Sequence, residues 1–447
     1  MNLHFAIPRR AHVSCVALGA TLMCAAPLRA QSGTPAAGEA RSDRTGRAPS
    51  VLISDVTLID GTGAPARAHV SLLLRDGRIA RILGAGEAAP AADTVIDARG
   101  LYTIPGLIDA HVHIGTMPFA REAAQLERAL RGGVTGLFDM AGDMRSTGDL
   151  ARAVMAGEIS GPSIHYVALM GGPAFFTDPR VLGASLGYPA GTAPWMQSIT
   201  AATDLVQAVA MARGTGAIAI KLYAALDGAL AARVAAEARR QGMRTVAHAT
   251  TFPGRPSELV DGGVDILAHA PYLVWEGSPP TDSFPKRARG DFLGVPASSP
   301  VIERVLERMR DHGTMLNPTV WVFDEGQPLD SVSRVRAPWM YAVTRRAAAL
   351  GVPIVAGTDG LFGIRGDSLP TLHRELELLV SRGGLSPMQA LVAATLNGAR
   401  AMGVERSTGS LEEGKAADLL LLEANPLDDI RATRRIRAVV KDGRVVR

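Results

Sequence analysis

From residue 107 to residue 402 the sequence alternates between short apolar runs and longer segments in which apolar residues recur every three or four positions. Such short runs are typical of buried strands, and the longer period is typical of amphipathic helices. The predicted strands end at 113 or cover 134–140, 163–170, 217–223, 244–248, 266–269, 314–323 and 353–359; the predicted helices cover 120–131, 147–156, 203–213, 229–241, 257–261, 301–311, 335–350, 368–382 and 387–402. Eight strands alternating with helices predict an α/β fold of the (β/α)8 TIM barrel type, with its active site at the carboxyl ends of the strands.

Short strand patterns also lie on both sides of this region. The apolar runs are 51–53, 56–59, 70–74, 79–83 and 94–97 before it, and 418–422, 436–441 and 445–446 after it. The last three runs are too short to form a stable sheet alone. We therefore predict one small β-sandwich domain built from both chain ends, residues 51–102 and 406–447, around a barrel at 103–405.

The first fifty residues have a different composition. The Arg9-Arg10 pair, the apolar stretch 11–26 and the small-residue site ending at Ala30 are typical of a secretory signal peptide over residues 1–30. Residues 31–50 are rich in Gly, Ala, Ser, Pro and Arg without periodicity, which predicts a disordered linker. We expect a secreted or periplasmic protein that has no membrane contact after signal cleavage.

Cysteine usage and charge narrow the chemistry. Cys15 and Cys24 both lie in the predicted signal peptide, so a metal ion in the remaining chain would be held by His, Asp, Glu or a lysine-derived oxygen. The net charge is +4, and loss of the three arginines of the signal peptide lowers it to +1. This balance gives no basis for nucleic-acid binding. The sequence leaves homo-oligomerisation open.

The most informative motif is Leu107-Ile108-Asp109-Ala110-His111-Val112-His113. At a strand end, His111 and His113 point to the same face about 7 Å apart, so both can reach one metal ion. Two hydrogen-bonded histidines at a strand end explain the motif equally well. The metal hypothesis therefore depends on ligands from other strand ends.

Three more predicted strands end in such groups, namely in His248, His269 and Asp359. One histidine at a strand end is more often a core residue, and one aspartate often caps the following helix. Two successive strands that each end in histidine favour a metal site.

Lys221 shares one face of its strand with Ala217, Ala219 and Tyr223, whereas branched residues occupy the other face. We expect the alanine face to point into the barrel. A buried charged amine is costly without a partner, so an ion pair with a barrel carboxylate is the simplest explanation. A neutral buried amine can instead react with carbon dioxide to give a carbamate, whose oxygens can bridge two cations.

The segment 271–300 is rich in Pro, Gly and Ser and directly follows a predicted strand end. Long loops at this end of a barrel form lids and substrate walls, or they are surface excursions. Tyr272 and Trp275 favour a wall.

These motifs resemble the amidohydrolase superfamily, in the branch of imidazolonepropionase and the bacterial Xaa-Pro dipeptidases (prolidase-like). The resemblance spans about residues 51–447 and rests on the segments 59–63, 105–113, 220–223, 247–249, 268–270, 357–359, 373–378 and 409–419. It implies two divalent metal ions, most simply Zn²⁺. The implied ligands are His111, His113 and Asp359 for one ion, His248 and His269 for the other, and carboxylated Lys221 as a bridge.

The resemblance also implies a reaction. A water between the two cations would attack an amide carbonyl, with Asp359 as catalytic general base and acid. Tyr223 would donate a hydrogen bond to the substrate carboxylate or to the developing oxyanion. The implied substrate is a small amide, such as an Xaa-Pro dipeptide or an N-acyl amino acid. A lactonase, or a cyclic-imide hydrolase or deaminase-like enzyme with one metal, is the alternative, whereas the six filled ligand positions disfavour a non-catalytic binding protein.

One segment departs from the superfamily pattern. Members often have Gly-Gly-His after the third strand, where this chain has Met170-Gly171-Gly172-Pro173. We therefore expect a substrate that differs from those of the dipeptidases. His165 and His373 are further candidates for contacts around the ligands.

Overall fold

The computed structural model describes residues 49–281, 283–326, 330–363 and 368–446. The predicted signal peptide, and all but the last two residues of the predicted linker, lie outside the described residues. The described residues belong to one compact unit. Within the described residues, none of the helices has the length and apolar character needed to span a membrane.

Over the described residues the strands are β1 (Val51–Leu58), β2 (Arg67–Arg75), β3 (Arg78–Leu83), β4 (Thr94–Asp97), β5 (Tyr102–Pro105), β6 (Leu107–Val112), β7 (Val134–Asp139), β8 (Ser163–Gly171), β9 (Thr192–Ala193), β10 (Met196–Ser198), β11 (Ala219–Leu222), β12 (Arg244–His248), β13 (Ile266–Ala268), β14 (Met315–Asn317), β15 (Leu419–Leu422), β16 (Ile436–Lys441) and β17 (Arg444–Val445). The α-helices are α1 (Phe119–Arg131), α2 (Met144–Met155), α3 (Pro179–Ala184), α4 (Leu205–Gly214), α5 (Gly228–Arg240), α6 (Pro256–Asp261), α7 (Pro300–His312), α8 (Val320–Asp324), α9 (Ser331–Leu350), α10 (Leu372–Ser381), α11 (Pro387–Ala393) and α12 (Leu396–Met402). Short 3₁₀ helices cover Pro173–Thr177, Ala270–Glu276, Phe284–Arg289 and Ile430–Arg434.

The predicted TIM barrel is confirmed. Seven strands pair in parallel in the order β6, β7, β8, β11, β12, β13 and β14. The segment 353–359, predicted as the eighth strand, closes the barrel with little regular pairing. It makes a single parallel bridge, from Ile354 to Leu316, and the Ala356 carbonyl accepts a hydrogen bond from the Ala110 amide (3.1 Å).

The closure is tight where this eighth segment passes β6. A Cβ at Gly357 would lie 2.8 Å from the amide nitrogen of His111, so only glycine permits this approach of the two backbones. Two residues later the Asp359 amide donates to the His111 carbonyl (2.7 Å). The close approach therefore holds Asp359 beside the His-x-His motif.

The two faces of β11 are as predicted from Ala219 onward, but the alternation does not extend to the two residues before the strand. Ala217 packs on the outer side of the barrel and Ile218 packs against the cluster inside it, opposite to the prediction, because the regular strand begins only at Ala219. Ile220 and Leu222 pack in the core between the barrel and its helices. Ala219 instead belongs to the cluster inside the barrel, with Val167 and Val246. Since side chains alternate along a strand, Lys221 shares the inward face with Ala219.

Two predicted elements differ from the structure. The predicted strand 314–323 ends at Asn317, because Pro318 and the left-handed Thr319 (φ 50°) turn the chain into α8. The predicted helix 387–402 is divided into α11 and α12 at Thr395, whose φ of −133° and ψ of −92° are not helical. The break frees the Ala394 carbonyl, which accepts a hydrogen bond from the Ile108 amide of β6 (2.7 Å).

Strands from both chain ends form the small mixed sheet, in the order β17, β16, β15, β5, β1, β2 and β3, with β4 also paired to β1. β5 pairs antiparallel with β15 and thereby joins the two parts. The last residue of β5 is Pro105, three positions beyond residue 102, where the first part of the β-sandwich domain was expected to end. Ile53, Leu72 and Leu419 are among the buried side chains in the core of this small sheet.

His373, proposed as a contact near the ligands, lies at the other end of the barrel. Its Nε2 is 2.8 Å from the Gly132 carbonyl, just before β7, and its Nδ1 is 3.0 Å from Oγ1 of Thr433. It therefore connects α10 to the start of a barrel strand and to the C-terminal segment, which is a structural role.

We expect His373 to make the protein sensitive to acid. Burial lowers its pKa to about 4 from an ordinary value of 6.5. Between these values the unfolded chain binds the proton more tightly, so the unfolding free energy contributed by His373 falls as pH decreases, by up to about 1.4 kcal/mol per pH unit. Urea unfolding between pH 4.5 and 8 should show a shallower acid loss in His373→Gln, with the exposed His312→Gln as control. An unchanged slope would contradict the assignment.

Candidate metal centre

The carboxyl ends of the barrel strands bring the five predicted His and Asp ligands together. Nε2 of His111 and Nε2 of His113 lie 3.7 Å and 3.2 Å from Oδ1 of Asp359. His111, His269 and Asp359 each offer a ligand atom, and these atoms lie within 4.8 Å of one another. The ring centroid of His248 is 4.9 Å from that of His269. Residues distant in sequence meet here because parallel strands present their carboxyl ends at one face of the barrel.

Hydrogen bonds to Nδ1 orient three of the imidazole rings. The pairs are Nδ1 of His111 with Oδ1 of Asn317 (2.7 Å), Nδ1 of His113 with the carbonyl of Ala141 (3.0 Å), and Nδ1 of His269 with Oγ1 of Thr319 (2.9 Å). An Nδ1–H that donates to such an oxygen leaves the Nε2 lone pair free for a metal ion. The surrounding residues thus prepare Nε2 as the ligand atom of these histidines.

Four of the ten described non-glycine residues with positive φ lie around the site. Ala141 (φ 93°), His269 (φ 73°), Thr319 (φ 50°) and Asp359 (φ 59°) all have left-handed backbones. Such a conformation costs a non-glycine residue about 1 kcal/mol or more. Two of the four are predicted ligands and the other two hold ligand imidazoles, so the fold maintains unfavourable geometry at the residues that shape the site.

Lys221 and His248 are buried with unsatisfied nitrogens. Only 1% of Lys221 is exposed, and neither its Nζ nor the Nδ1 of His248 has a hydrogen-bond partner among the described residues. Among the described residues, Lys221 therefore does not form the expected ion pair with a barrel carboxylate. Burial lowers the pKa of Lys221 to about 7, although Asp359 acts in the opposite direction.

The charges of the cluster suit a cation. Burial lowers the pKa values of His111, His248 and His269 well below 6.5, so these imidazoles are neutral. Burial raises the pKa of Asp359, but His111, His113 and Lys221 outweigh this effect and hold it at about 2. At neutral pH the site offers these three neutral imidazoles and an ionised carboxylate, which are the forms that bind metal. His113 differs, since burial lowers its pKa but the hydrogen bond and charge of Asp359 outweigh this effect and raise it.

Two buried aspartates that sequence analysis missed hold the ligand segments in place. Asp109 accepts hydrogen bonds from the amide (3.0 Å) and the hydroxyl (2.7 Å) of Thr358, next to Asp359. Its position two residues before His111, on the same strand face, is the signal that would have identified it.

The second missed residue is Asp139, at the end of β7. It accepts hydrogen bonds from the amides of Ile114 (2.8 Å) and Ala141 (3.2 Å), and these two residues adjoin or contact His113. Burial raises the pKa of Asp109 to about 7 and that of Asp139 to about 6. Both aspartates hold in place the segments that carry predicted metal ligands, Asp139 through backbone amides and Asp109 through the amide and hydroxyl of Thr358.

The residues present fit a divalent metal ion. Two imidazoles and a carboxylate offer ligand atoms close enough to share one ion, and His with Asp is a ligand set that zinc and similar ions accept. The orphaned nitrogens of Lys221 and His248 lie in the same cluster, since the charge of Lys221 acts on His111, His248 and His269. A bound cation would satisfy the imidazole lone pair of His248, which has no partner among the described residues.

Aromatic side chains line one side of the site. Tyr223 follows β11 and stacks on Phe175 with ring centroids 4.5 Å apart, and its ring is 4.1 Å from that of His248. Phe284 lies parallel to the His248 ring at 5.6 Å. Because Phe284 begins the 3₁₀ helix Phe284–Arg289, the segment 271–300 contributes a wall of the site.

A cavity of about 490 Å³ opens beside His113 and Tyr223. Leu169, Val181 and Met196 contribute apolar surface to it. Asp143 and Arg180 also line it, and its size suits a small organic ligand.

Residues 170–173, where this chain lacks the Gly-Gly-His pattern of the superfamily, affect the structure of the site. Pro173 begins the 3₁₀ helix that carries Phe175 into the wall. The chain thus places an aromatic ring near the position where the superfamily pattern has a histidine.

His165, the other candidate near the ligands, does not reach the site. It lies in the first half of β8 and lines a separate cavity of about 380 Å³ with Thr135 and Lys441. Thr135 is near the start of β7, so this cavity is at the amino-terminal end of the barrel strands.

Comparisons with known proteins agree with this geometry. The model of the amidohydrolase family matches residues 102–446. Ochratoxinase of Aspergillus niger is 27% identical over 453 residues, which cover 88% of this chain and 85% of that protein. Imidazolonepropionase of Syntrophobacter fumaroxidans is 48% identical over 84 residues, or 19% of each chain.

A similar structure is that of a Xaa-Pro dipeptidase with bound methionine in the active site. It has a TM-score of 0.69 and 21% identity, and the match covers 89% of this chain and 99% of that one. At this identity the match concerns the fold, and it confirms a TIM barrel with a β-sandwich. The fold, the histidine and aspartate cluster and the family match together show that this chain is a hydrolase of carbon–nitrogen amide bonds and belongs to the amidohydrolase family.

Proposed function

We propose that the chain hydrolyses the amide bond of an N-acyl amino acid or an Xaa-Pro dipeptide with the help of two divalent metal ions, most simply Zn²⁺. The observation that carries this proposal is the burial of Lys221, without a partner among the described residues, in a cluster of four histidines and Asp359. A structural lysine would need a carboxylate there, whereas a lysine that is converted to a carbamate would not.

Each predicted ligand has a place in this proposal. His111, His113 and Asp359 would hold one ion, His248 and His269 the other, and carboxylated Lys221 would bridge them. The low pKa of Lys221, about 7, supports carboxylation because only the neutral amine reacts with carbon dioxide. When bound, the ions would polarise the amide carbonyl and lower the pKa of a nearby water.

Asp359 carries the proton during the reaction. Its pKa of about 2 keeps it ionised, so Oδ1 can accept a proton from the attacking water and then donate it to the leaving nitrogen. Tyr223 donates a hydrogen bond to an oxygen of the substrate. Burial raises the pKa of Tyr223, so its hydroxyl keeps the proton at neutral pH.

We also propose that this reaction takes place outside the cytoplasm, in the periplasm or the medium. The support is the signal-like sequence of residues 1–30, with its basic start and apolar centre.

The proposal is tested with metal-replete protein and a panel of N-acyl amino acids, Xaa-Pro dipeptides, lactones and cyclic imides. We expect amide hydrolysis that a chelator abolishes and that added Zn²⁺ restores. Asp359→Asn should lower kcat by about 10²–10⁴-fold, the usual range for loss of a general acid and base. Asp149→Asn, at an exposed position on α2, is the matched control.

Two outcomes would contradict the proposal. Turnover of lactones or cyclic imides without any amide hydrolysis would favour the alternative class of enzyme. Full amide hydrolysis with about one metal ion per chain would contradict the two-ion site.

A further inference from the structure

The wall formed by Phe284–Arg289 also brings a positive charge to the site. Of its three basic residues, Lys286 and Arg289 are exposed, whereas Arg287 is partly buried. The guanidinium carbon of Arg287 lies 4.2 Å from the centroid of the Phe284 ring, and that ring in turn lies parallel to the His248 ring. Arg287 is therefore one aromatic ring away from the candidate metal centre.

The effects of this charge agree with its position. Burial raises the pKa of Tyr272 to about 12 and also raises that of Tyr223, and Arg287 acts against both shifts. The charge of Arg287 also lowers the pKa values of His248 and His269, although burial, Lys221 and the neighbouring histidines have larger effects. The guanidinium thus acts on residues on the side of the site formed by β11, β12 and β13.

Arg287 has no carboxylate partner among the described residues. Its guanidinium makes a long hydrogen bond, of 3.4 Å, to the Phe284 carbonyl and a side-chain hydrogen bond to Tyr272. Its charge also acts on Asp178, but less than the pairing of Asp178 with Arg180 does. Arg180, the other arginine near Tyr223, is different because it pairs with Asp178 at 2.7 Å. A partly buried guanidinium that makes no ion pair among the described residues, one aromatic ring from the candidate metal centre, favours an anionic ligand.

The position of Trp275 indicates that the backbone of Arg287 is held in place. The indole N–H of Trp275 donates to the Arg287 carbonyl (3.0 Å), and Trp275 itself is buried. Fixing the backbone reduces the conformational entropy that the side chain would lose on binding a ligand. The arginine is thus anchored from within the wall.

We propose that Arg287 binds the free carboxylate of the substrate, on the amino-acid side of the bond that is cleaved. The proposal rests on the amide hydrolysis proposed above and makes it more specific. The cavity beside His113, with its apolar lining of Leu169, Val181 and Met196, would receive the other half of the substrate. The substrate class is then an amino acid with a free carboxylate whose nitrogen carries an apolar acyl group.

The test compares paired substrates that differ only in this charge. The pair is N-benzoyl-L-phenylalanine and N-benzoyl-L-phenylalaninamide, assayed with metal-replete wild type, Arg287→Met, Arg287→Lys and Arg289→Met. We expect wild type to prefer the free acid, and Arg287→Met to reduce that preference by about 30-fold or more, mainly through KM. Arg287→Lys should restore part of it, and Arg289→Met should behave as wild type.

A binding measurement separates the two proposals. Calorimetry with L-phenylalanine and L-phenylalaninamide on the metal-loaded proteins should show tighter binding of the acid to wild type and a loss of that difference in Arg287→Met. If the acid binds in this way but no amide is hydrolysed, Arg287 keeps its role and the proposed reaction is wrong. If wild type hydrolyses amides but treats acid and amide substrates equally, or if Arg287→Met lowers both rates equally, the role of Arg287 is wrong and the reaction stands.

Discussion

Lys221→Met is expected to lower kcat/KM for amide substrates by at least about 1000-fold, which corresponds to about 4 kcal/mol of transition-state free energy. Methionine fills a similar volume but provides no amine to carry the proposed carbamate. In the absence of metal the same variant should be more stable than wild type by about 2 kcal/mol or more, because it removes a buried amine that has no partner among the described residues. Loss of activity together with a gain in stability would distinguish a functional lysine from a structural one.

The measurements are steady-state kinetics and metal content of the loaded proteins, and urea unfolding of the chelator-treated proteins. Lys286→Met, at an exposed position, controls for the loss of a lysine in general. Wild-type activity in Lys221→Met would rule out a bridging role. A variant that is less stable than wild type without metal would show that Lys221 is paired in the folded protein.

Glu375→Ala is expected to lower the unfolding free energy by about 3–5 kcal/mol. Glu375 is fully buried, and its two carboxyl oxygens accept hydrogen bonds from the amides of Val320 (3.0 Å) and Trp321 (2.7 Å) at the start of α8. Truncation would leave two buried N–H groups unsatisfied, at about 1–3 kcal/mol each, and would open a cavity. Thr319, which holds His269, directly precedes these amides, so the metal content should also fall.

Urea unfolding and metal analysis check this prediction. Ser381→Ala, at an exposed position on the same helix, should change stability by less than about 0.5 kcal/mol. Glu375→Gln should be intermediate, since its amide oxygen can accept one of the two hydrogen bonds while its NH₂ group faces the other donor. A Glu375→Ala variant as stable as Ser381→Ala would contradict the role of the carboxyl group.

The barrel could be predicted because most strands and helices show their typical apolar pattern within their own residues. Apolar runs such as 134–140 and 244–248 differ from the helical spacing of 229–241 within a few residues. The misassigned elements have causes beyond the periodic pattern. The strand predicted at 314–323 ends at Asn317 because Pro318 and the left-handed Thr319 turn the chain, and Glu375, from a distant helix, accepts the amides that begin α8. The helix predicted at 387–402 breaks where the Ala394 carbonyl bonds to β6.

The sequence identified the His and Asp residues of the candidate site but not the residues that support them. Alternation along β6 places His111 and His113 on one face, and the ends of three other strands supply His248, His269 and Asp359. The supporting aspartates were missed, since Asp139 acts only through backbone amides of residues that surround His113. Such contacts have no spacing rule in the sequence.

The sequence by itself determined the alternation of strands and helices, the polar residues at the strand ends and the confinement of both cysteines to the first thirty residues. These are local properties, set by the period of the backbone and by residue identity. Only the tertiary structure decided that Lys221 has no partner among the described residues, that Asp109 and Asp139 hold the ligand segments, and that Arg287 lies beside Phe284. Burial and pairing depend on which distant segments meet, and packing of the whole barrel is what brings them together.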